Sequence, residues 1–305
     1  MLRAKCLKIG ARLIERGAWY LAPFSWLYAF FVLCRNQLYD WGWMPVTQVG
    51  PVVVSVGNIV AGGTGKTPLV HLLAQRFPKR KVAILSRGYG QIADEALLLA
   101  RRLPHVAVYV GKDRALLAKT VDAELILLDD GFQHRRLHRD FDLVLVKEGK
   151  EHYLPWGFLR DSPRRLRGAE VFETADFRLA VRRILDAKGR EVPSIKGWKM
   201  VLFCGIANPE RFKKTVLDLG AEIVGEKIFG DHERADLSKL PTANAFICTE
   251  KDFVKLPPTN LPIYFLEMEM EVVRGRERWE KLVEKIDETI ENRPTYERSD
   301  KNYFT

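Results

Sequence analysis

The chain has 305 residues, of which 47% are hydrophobic and 29% charged, a composition that excludes a disordered protein and leaves room for two ordinary domains. Its four cysteines are far apart in the sequence, which argues against a disulfide framework or a thiolate metal site and indicates a reducing, cytosolic setting. The formal net charge of +10 indicates an anionic partner: a nucleotide, a nucleic acid or a membrane surface with acidic lipids.

Residues 1–44 are predicted to form a helical segment that lies on a membrane. Residues 1–17 place apolar and basic side chains on two faces of a helix, with Glu15 as the only acid. Residues 18–34 carry no charge and are rich in aromatic side chains. Their length is at the lower limit for crossing a bilayer, about 17 to 20 residues, and Pro23 with the Trp and Tyr side chains favours the interface. We expect monotopic attachment; the alternatives are a marginal span and a buried pair of core helices.

Residues 45–176 are predicted to form a nucleotide-binding core of the doubly wound α/β class, because apolar strands alternate with helical segments. A helix over 68–77 follows the first strand. The predicted strands cover residues 51–57, 81–90, 123–132 and 141–147.

A phosphate-binding loop is predicted between the first strand and its helix, in the sequence SVGNIVAGGTGKTP. The usual spacing of such loops requires a glycine at position 60, where this chain has valine. The glycines that follow can turn backbone N–H groups toward phosphates, and the loop also supplies a helix N-terminus, a lysine and a hydroxyl for Mg²⁺. The predicted nucleotide contacts are Val60, Ala61, Gly62, Gly63, Thr64, Gly65, Lys66 and Thr67.

Two acidic residues end the apolar strand LILLD, namely Asp129 and Asp130. A carboxylate at the tip of a strand beside a phosphate loop holds Mg²⁺ and offsets the charge of the triphosphate. Thr67, Asp129 and Asp130 are therefore the predicted metal ligands. The sequence leaves open which of the two aspartates contacts the metal directly.

The second part of the chain is predicted to form another α/β unit. Residues 177–198 alternate in polarity and turn at Ala187 to Gly189, which predicts a two-stranded hairpin that links two domains. A smaller α/β domain follows over 199–291 and ends in a charged helix over 276–291, and residues 292–305 form a polar tail. The predicted strands of this domain cover residues 199–207, 221–229, 244–252 and 262–270.

Phosphoryl transfer to an alcohol requires a base that receives the hydroxyl proton, best oriented by a partner. The sequence offers Asp94 with Glu95, and Asp231 with His232, which a cleft between the two domains could bring together. As isolated residues, each pair also fits a solvated surface.

Basic residues cluster in two further segments. His134 and His138 have the spacing of metal ligands, but the arginines around them favour a loop that contacts anions or is simply solvated. The basic run over 160–167 is likewise either a solvated face or a contact for phosphate on a substrate or a lipid. Nucleic acid is not expected as a partner, because the aromatic residues lie near the N-terminus and not within these runs.

Together these motifs resemble the tetraacyldisaccharide 4'-kinase family, the lipid A 4'-kinases of Gram-negative bacteria. The resemblance covers nearly the whole chain. It rests on the aromatic N-terminal segment and on VGNIVAGGTGKTP, LSRGYG, DDGFQHRRLHRD, LPWGFLRD, GDH at 230–232 and TEKDFVKL. DDGFQHRRLHRD is the most specific of these, and a loop without glycine at position 60 is itself the family's form.

The resemblance implies transfer of the ATP γ-phosphoryl group to the 4'-hydroxyl of a tetraacylated glucosamine disaccharide 1-phosphate, with Mg²⁺, at the cytoplasmic face of the bacterial inner membrane. By motif, Lys66 would hold the β and γ phosphates, and Asp94 would be the base that His232 orients. The lipid disaccharide and the membrane surface are the implied partners, and we expect a monomer. The residues implied to line the nucleotide site are Arg114, Gln133 and His134.

Two segments depart from the family pattern. Ala93-Asp94-Glu95-Ala96 stands where the family has Gly-Asp-Glu-Pro, and Leu159-Arg160-Asp161-Ser162 stands where it has Leu-Arg-Glu-Pro. Two other functions remain open, namely another P-loop kinase or GTPase that acts on a soluble partner, and a membrane-tethered ATPase switch. A switch would need no acceptor base, and the chain has no obvious Asn-Lys-x-Asp segment for reading guanine.

Overall fold

A computed structural model describes the chain over residues 19–88, 94–147, 152–206, 208–230 and 235–293. Within these ranges the strands form two separate sheets, one of six and one of five strands. The basic helix predicted over 1–17 and the end of the tail lie outside the described residues.

The first sheet is entirely parallel, with strand order β3-β2-β4-β1-β5-β6. Its strands are β1 (Val52–Asn58), β2 (Val82–Ser86), β3 (Ala107–Val110), β4 (Leu125–Asp129), β5 (Phe141–Val146) and β6 (Glu170–Glu173). Every residue of β1, β2 and β4 is buried, as expected for strands covered on both faces by helices. The predicted α/β class with a parallel sheet is confirmed.

The second sheet has strand order β7-β11-β10-β8-β9 and is parallel except for β7, which pairs antiparallel with β11. Its strands are β7 (Phe177–Asp186), β8 (Lys199–Cys204), β9 (Glu222–Ile228), β10 (Phe246–Thr249) and β11 (Ile263–Val272). Alternate faces of these strands form two apolar clusters, so this sheet has a core of its own.

The helices are α1 (Ala22–Asp40), α2 (Lys66–Ala74), α3 (Asp94–Arg102), α4 (Arg114–Thr120), α5 (Pro209–Asp218), α6 (Glu250–Phe253) and α7 (Arg276–Glu291). Short 3₁₀ helices cover Trp19–Leu21, Pro163–Gly168, Thr174–Asp176 and Leu237–Lys239. Helices α2, α3 and α7 pack on one face of the first sheet, and α4 packs on the other. The first sheet is therefore doubly wound.

The segment predicted as a hairpin linker belongs instead to the second sheet. The predicted turn is present, since Gly189 has a φ of +79° and its N–H donates to Asp186 O. The strand before the turn, however, pairs along its length with β11, and the return after the turn makes only the bridge Leu185–Glu191. Two strands alone are marginally stable, so the alternating pattern of β7 is satisfied by joining a larger sheet.

Helix α7, predicted as the end of the smaller domain, packs instead against the first sheet. Its apolar residues follow a helical period, and their side chains pack against Val52, Val54 and Leu143. The buried residues of α7 are Trp279, Leu282, Val283, Ile286 and Ile290. The chain returns to the first sheet through β11, whose final residues pack in the apolar core of that sheet. The order of elements along the chain does not reveal this return.

Helix α1 presents its aromatic side chains to the exterior. Trp26, Phe30 and Phe31 are each more than half exposed, whereas Ser25 and Asn36 are buried. This exposure is the opposite of what a buried core helix would show. Within the described ranges, no helix has the length and apolar character needed to cross a membrane.

Candidate active site

The predicted phosphate loop connects the carboxyl end of β1 to the start of α2. Its turns use Gly62, with a φ of +120°, and Gly65, with a φ of +88°, a backbone region that favours glycine. Gly65 is the residue before the first turn of α2, so the N-terminal N–H groups of the helix border the loop. Val60 pairs with Leu159 in an antiparallel bridge, and the adjacent Ala61 N–H donates to Phe158 O at 2.7 Å. Position 60 is thus held by strand-like pairing and not by a glycine turn.

Asn58 fixes the loop from inside. It is fully buried, and its side-chain Nδ2 donates to Thr64 Oγ1 at 2.9 Å. Its backbone oxygen accepts from Gln133 Nε2 at 2.8 Å, and its side-chain oxygen accepts from Arg160. The sequence did not single out Asn58, and it noted Arg160 only within the basic run over 160–167, because their contact joins segments 102 residues apart.

The acidic end of β4 lies beside the start of α2. Thr67 Oγ1 donates to Asp129 Oδ2 at 3.3 Å, and both residues are buried. Burial, reinforced by the negative charges of Glu95 and Asp130, raises the pKa of Asp129 to about 7. The predicted proximity of Thr67 and Asp129 is therefore present.

Asp130 has cationic partners. Its carboxylate lies 3.6 Å from Lys66 Nζ and accepts two hydrogen bonds from Arg160. Burial by itself would raise the pKa of Asp130, but the hydrogen bonds and charge of Arg160, with the charges of Lys66 and Arg114, outweigh it and lower the pKa. Burial lowers the pKa of Lys66 against the opposing effect of Asp130. Asp130 itself has a φ of +54°, which turns the chain sharply at the strand end.

The three residues implied to line the nucleotide site lie around this strand end. Arg114 Nη1 donates to the backbone oxygens of Asp129 and Asp130 at 2.8 and 3.1 Å, and Gln133 binds the backbone of Asn58. His134 Nε2 is buried, with no hydrogen-bond partner among the described residues. Burial first, and the charge of Arg114 second, lower the pKa of His134 to about 4, so this imidazole is neutral near pH 7.

The predicted base Asp94 is the first residue of α3 and is 2% exposed. Its Oδ2 lies 3.5 Å from Lys255 Nζ, which comes from the second sheet's half of the chain. The next residue, Glu95, lies close enough to influence the pKa of both Lys66 and Asp129. His232 lies outside the described residues, so its pairing with Asp94 stays a prediction.

Asp161, which stands at a glutamate position of the family pattern, makes its side-chain contacts with α1 and with its own segment. It is fully buried and accepts hydrogen bonds from Asn36 Nδ2 and Ser162 N–H, each at 2.8 Å, and from Arg165. Asn36 lies on α1, so Asp161 binds this helix to the core. Its neighbour Arg160 binds the phosphate loop and the end of β4.

In the part of the chain that the structure describes, protein side chains alone do not assemble a complete set of metal ligands. Over residues 19–88, 94–147, 152–206, 208–230 and 235–293, no group of three or more His, Cys, Asp or Glu side chains could hold a metal ion. Thr67 and Asp129 instead offer a hydroxyl and a carboxylate, a partial set of the kind that Mg²⁺ uses together with phosphate oxygens and water.

Comparisons with known proteins point to one family. The profile of the family described as tetraacyldisaccharide-1-P 4'-kinase matches residues 17–288. A relative named tetraacyldisaccharide 4'-kinase from Syntrophus aciditrophicus is 34% identical, over 83% of this chain and 88% of the relative. A relative of the same name from Aquifex aeolicus is 32% identical, over 77% of this chain and 89% of the relative.

A solved structure gives the same result. The crystal structure of an "apo" form of LpxK from Aquifex aeolicus in complex with ATP superposes with a TM-score of 0.76 at 31% sequence identity. The match covers 88% of this chain and 98% of that protein. The chain therefore belongs to the tetraacyldisaccharide-1-P 4'-kinase family.

Proposed function

We propose that this protein transfers the γ-phosphoryl group of ATP to the 4'-hydroxyl of a tetraacylated glucosamine disaccharide 1-phosphate. The proposal is based on the close approach of the loop to the acidic end of β4. Thr67 Oγ1 lies 3.3 Å from Asp129 Oδ2, and Lys66 Nζ lies 3.6 Å from Asp130 Oδ1. This arrangement combines helix N-terminal N–H groups, a lysine and carboxylates around one point, which is what nucleotide phosphates and their metal ion need. Family membership supplies the acceptor.

The loop from Val60 to Thr67 would act as the P-loop, with ATP phosphates bound by its N–H groups and by Lys66. Lys66 now pairs with Asp130, and its ammonium could move to the phosphates because Arg160 also neutralises that carboxylate. Arg114 and Gln133 would support the site by holding the end of β4 and the start of the loop in place. The two sheets would act as two domains that enclose the substrates.

Thr67 and Asp129 are the residues that would hold Mg²⁺. Both offer hard oxygen ligands, and the extra negative charge that helps to raise the pKa of Asp129 would be compensated by a divalent cation. Asp130 already has Lys66 and Arg160 as partners, so we propose Asp129 as the aspartate that contacts the metal directly. When bound, Mg²⁺ neutralises charge on the β and γ phosphates.

Asp94 would receive the proton of the 4'-hydroxyl, and His232 would orient it. As the 4'-oxygen forms its bond to the γ-phosphorus, the bond from that phosphorus to the β–γ bridging oxygen breaks, and ADP leaves. This role is supported by the position of Asp94 at the start of α3, directly before Glu95, whose charge acts on the pKa of both Lys66 and Asp129.

The exposed aromatic face of α1 supports attachment to the cytoplasmic face of the inner membrane. Trp26, Phe30 and Phe31 form part of an apolar surface that is unfavourable in water and suited to the bilayer interface. The acyl chains of the substrate could stay in the bilayer while its sugars reach the loop. Confinement of enzyme and lipid to one surface raises their effective concentration.

The proposal is tested by incubation of the full chain with γ-labelled ATP and the lipid disaccharide 1-phosphate in detergent micelles. We expect labelled lipid from the wild type and none from Lys66→Ala, and no label on a lipid analogue that lacks the 4'-hydroxyl. Asp94→Asn should lose transfer while it still binds ATP. ATP hydrolysis without labelled lipid would reject the kinase function and favour an ATPase switch.

A further inference from the structure

A buried lysine joins the two sheets at Asp94. The side chain of Lys255 is 0% exposed, and its Nζ lies 3.5 Å from Asp94 Oδ2 and 3.2 Å from Asp252 Oδ1. Asp94 starts α3 on the first sheet, whereas Asp252 lies in α6 on the second. A buried ammonium is costly unless it is paired, so this geometry restrains all three side chains together.

The second sheet fixes the position of that ammonium. Asp252 Oδ2 accepts from Thr249 Oγ1 at 2.6 Å and from the Gly205 N–H at 3.0 Å. Lys255 is three residues beyond Asp252, and its own N–H donates to Asp252 O at 3.1 Å. Asp252 is thus anchored at Thr249 and at Gly205 in the second sheet's half of the chain. Lys255 therefore cannot move toward the first sheet without losing its contact with Asp252.

A neighbouring ion pair, Arg102 with Glu250, also connects the two sheets. Arg102 of α3 donates to Glu250 of α6 at 2.8 Å and also to Met268 O, and this pair too is largely buried. Within the described residues, the side-chain hydrogen bonds of this pair go to each other and to β11, and not to the phosphate loop or to Asp129. Lys255 differs from this pair because its partner is Asp94.

We infer that Lys255 is a positioning residue for Asp94: it holds the carboxylate from the second sheet, with Asp252 and Thr249 as its support. The inference rests on the proposed role of Asp94 as the base. Lys255 does not touch the substrate, and the proton still passes from the 4'-hydroxyl to Asp94. Transfer would therefore depend on the second sheet even though the phosphate loop belongs entirely to the first.

The test compares Lys255→Met with Glu250→Gln, which removes the negative charge that pairs with Arg102 of α3. Displacement of a reacting group by about 1 Å can cost on the order of 100-fold, so we expect Lys255→Met to lower kcat about 10- to 100-fold. The KM for ATP should change by less than about twofold, because ATP binding does not use Asp94. Glu250→Gln should lower the melting temperature and leave kcat unchanged.

Two further measurements separate the possible failures. In an Asp94→Asn background, Lys255→Met should not lower the small residual kcat any further, since the two residues act as one unit. Full transfer by Asp94→Asn would overturn the proposed base and this inference with it. Loss of transfer in Asp94→Asn, together with an unchanged kcat in Lys255→Met, would overturn this inference alone.

A milder pair of variants decides the matter if Lys255→Met does not fold. Thr249→Val removes the hydroxyl that anchors Asp252 without leaving a buried charge unpaired, while Thr249→Ser keeps that hydroxyl. We expect a lower kcat for Thr249→Val than for Thr249→Ser at an equal KM for ATP. Equal kcat values for the two variants would overturn the inference.

Discussion

Helices α1 and α7 both pack on the half of the molecule that contains the phosphate loop, but they differ in the side chains that they bury and expose. Helix α7 buries Trp279 and Ile286 and exposes charged residues. Helix α1 buries two polar side chains, Ser25 and Asn36, together with two apolar ones, and leaves Trp26 69% exposed. The difference teaches that the apolar face of a helix points toward whichever apolar environment is available. For α7 this environment is the protein core, and for α1, as we propose, it is the membrane interface.

The buried faces also differ in how they are held. Helix α7 is held by packing, with Trp279 in edge contact with Phe172 and Phe177. Helix α1 adds hydrogen bonds by buried side chains, from Ser25 Oγ to Tyr153 O at 2.6 Å and from Asn36 Nδ2 to Asp161 at 2.8 Å. Truncation of a large aromatic side chain should therefore change the free energy of unfolding much more on α7 than on α1.

The largest effect is expected for Trp279→Ala. This side chain is almost fully buried, and loss of its packing should lower the free energy of unfolding by about 3 to 5 kcal/mol. Trp26→Ala on α1 is the matched control and should change it by less than about 0.5 kcal/mol in detergent-free buffer. Urea denaturation of both variants measures the contrast, and similar losses in the two would remove the distinction between the helices.

A smaller loss is expected for Asn36→Ala. The change removes the donor to Asp161, a fully buried carboxylate, and should cost about 1 to 3 kcal/mol of unfolding free energy. Gln37→Ala, at the exposed neighbouring position, should be nearly neutral. Equal stability of the two variants in the same denaturation experiment would show that α1 is not held by its polar face.

The outer face of α1 is tested by its affinity for lipid. Trp26→Ser combined with Phe30→Ser should weaken binding to vesicles with anionic lipid by about tenfold or more, since burial of one large apolar side chain contributes about 1.5 to 3 kcal/mol. Leu217→Ser, which removes an exposed apolar side chain on α5, should leave binding unchanged. Co-sedimentation with vesicles gives the comparison, and unchanged binding of the double variant would contradict membrane attachment through α1.

The smallest effect is expected on the outer face of α7. Lys281 pairs with Glu277 at 2.7 Å, and both side chains are well exposed. Exposed pairs of this kind contribute about 0 to 1 kcal/mol, so Lys281→Ala should shift unfolding free energy by less than about 0.5 kcal/mol and leave vesicle binding intact. A marked loss of vesicle binding would mean that α7 also faces the membrane.

The sequence predicted those parts of the fold that local pattern determines. Strands β1 and β4 are continuous apolar runs, and parallel strands meet at one sheet edge, so the closeness of Thr67 to Asp129 follows from the pattern alone. Strands β3 and β6 were missed, because each has four residues and β3 is largely exposed. Short edge strands of this kind carry little periodic signal.

The remaining contacts depend on distant pairing, which one sequence does not reveal. Arg160 reaches Asp130 across 30 residues and Asn58 across 102, and Lys255 reaches Asp94 from the other sheet. Helix α7 has an apolar stripe that would fit any open sheet face, so its place on the first sheet could not be predicted from its pattern. Asp161 was noted as a departure from the family pattern, but its contact with α1 joins segments 125 residues apart and has no local signal.

The two neighbours Arg160 and Asp161 bind different partners, and this links the end of β4 to α1. Arg160 binds Asp130 beside the loop, and Asp161 binds Asn36 on α1, although their Cα atoms are about 3.8 Å apart. With α1 on the bilayer as proposed, this short link would fix the distance between the proposed nucleotide site and the lipid surface.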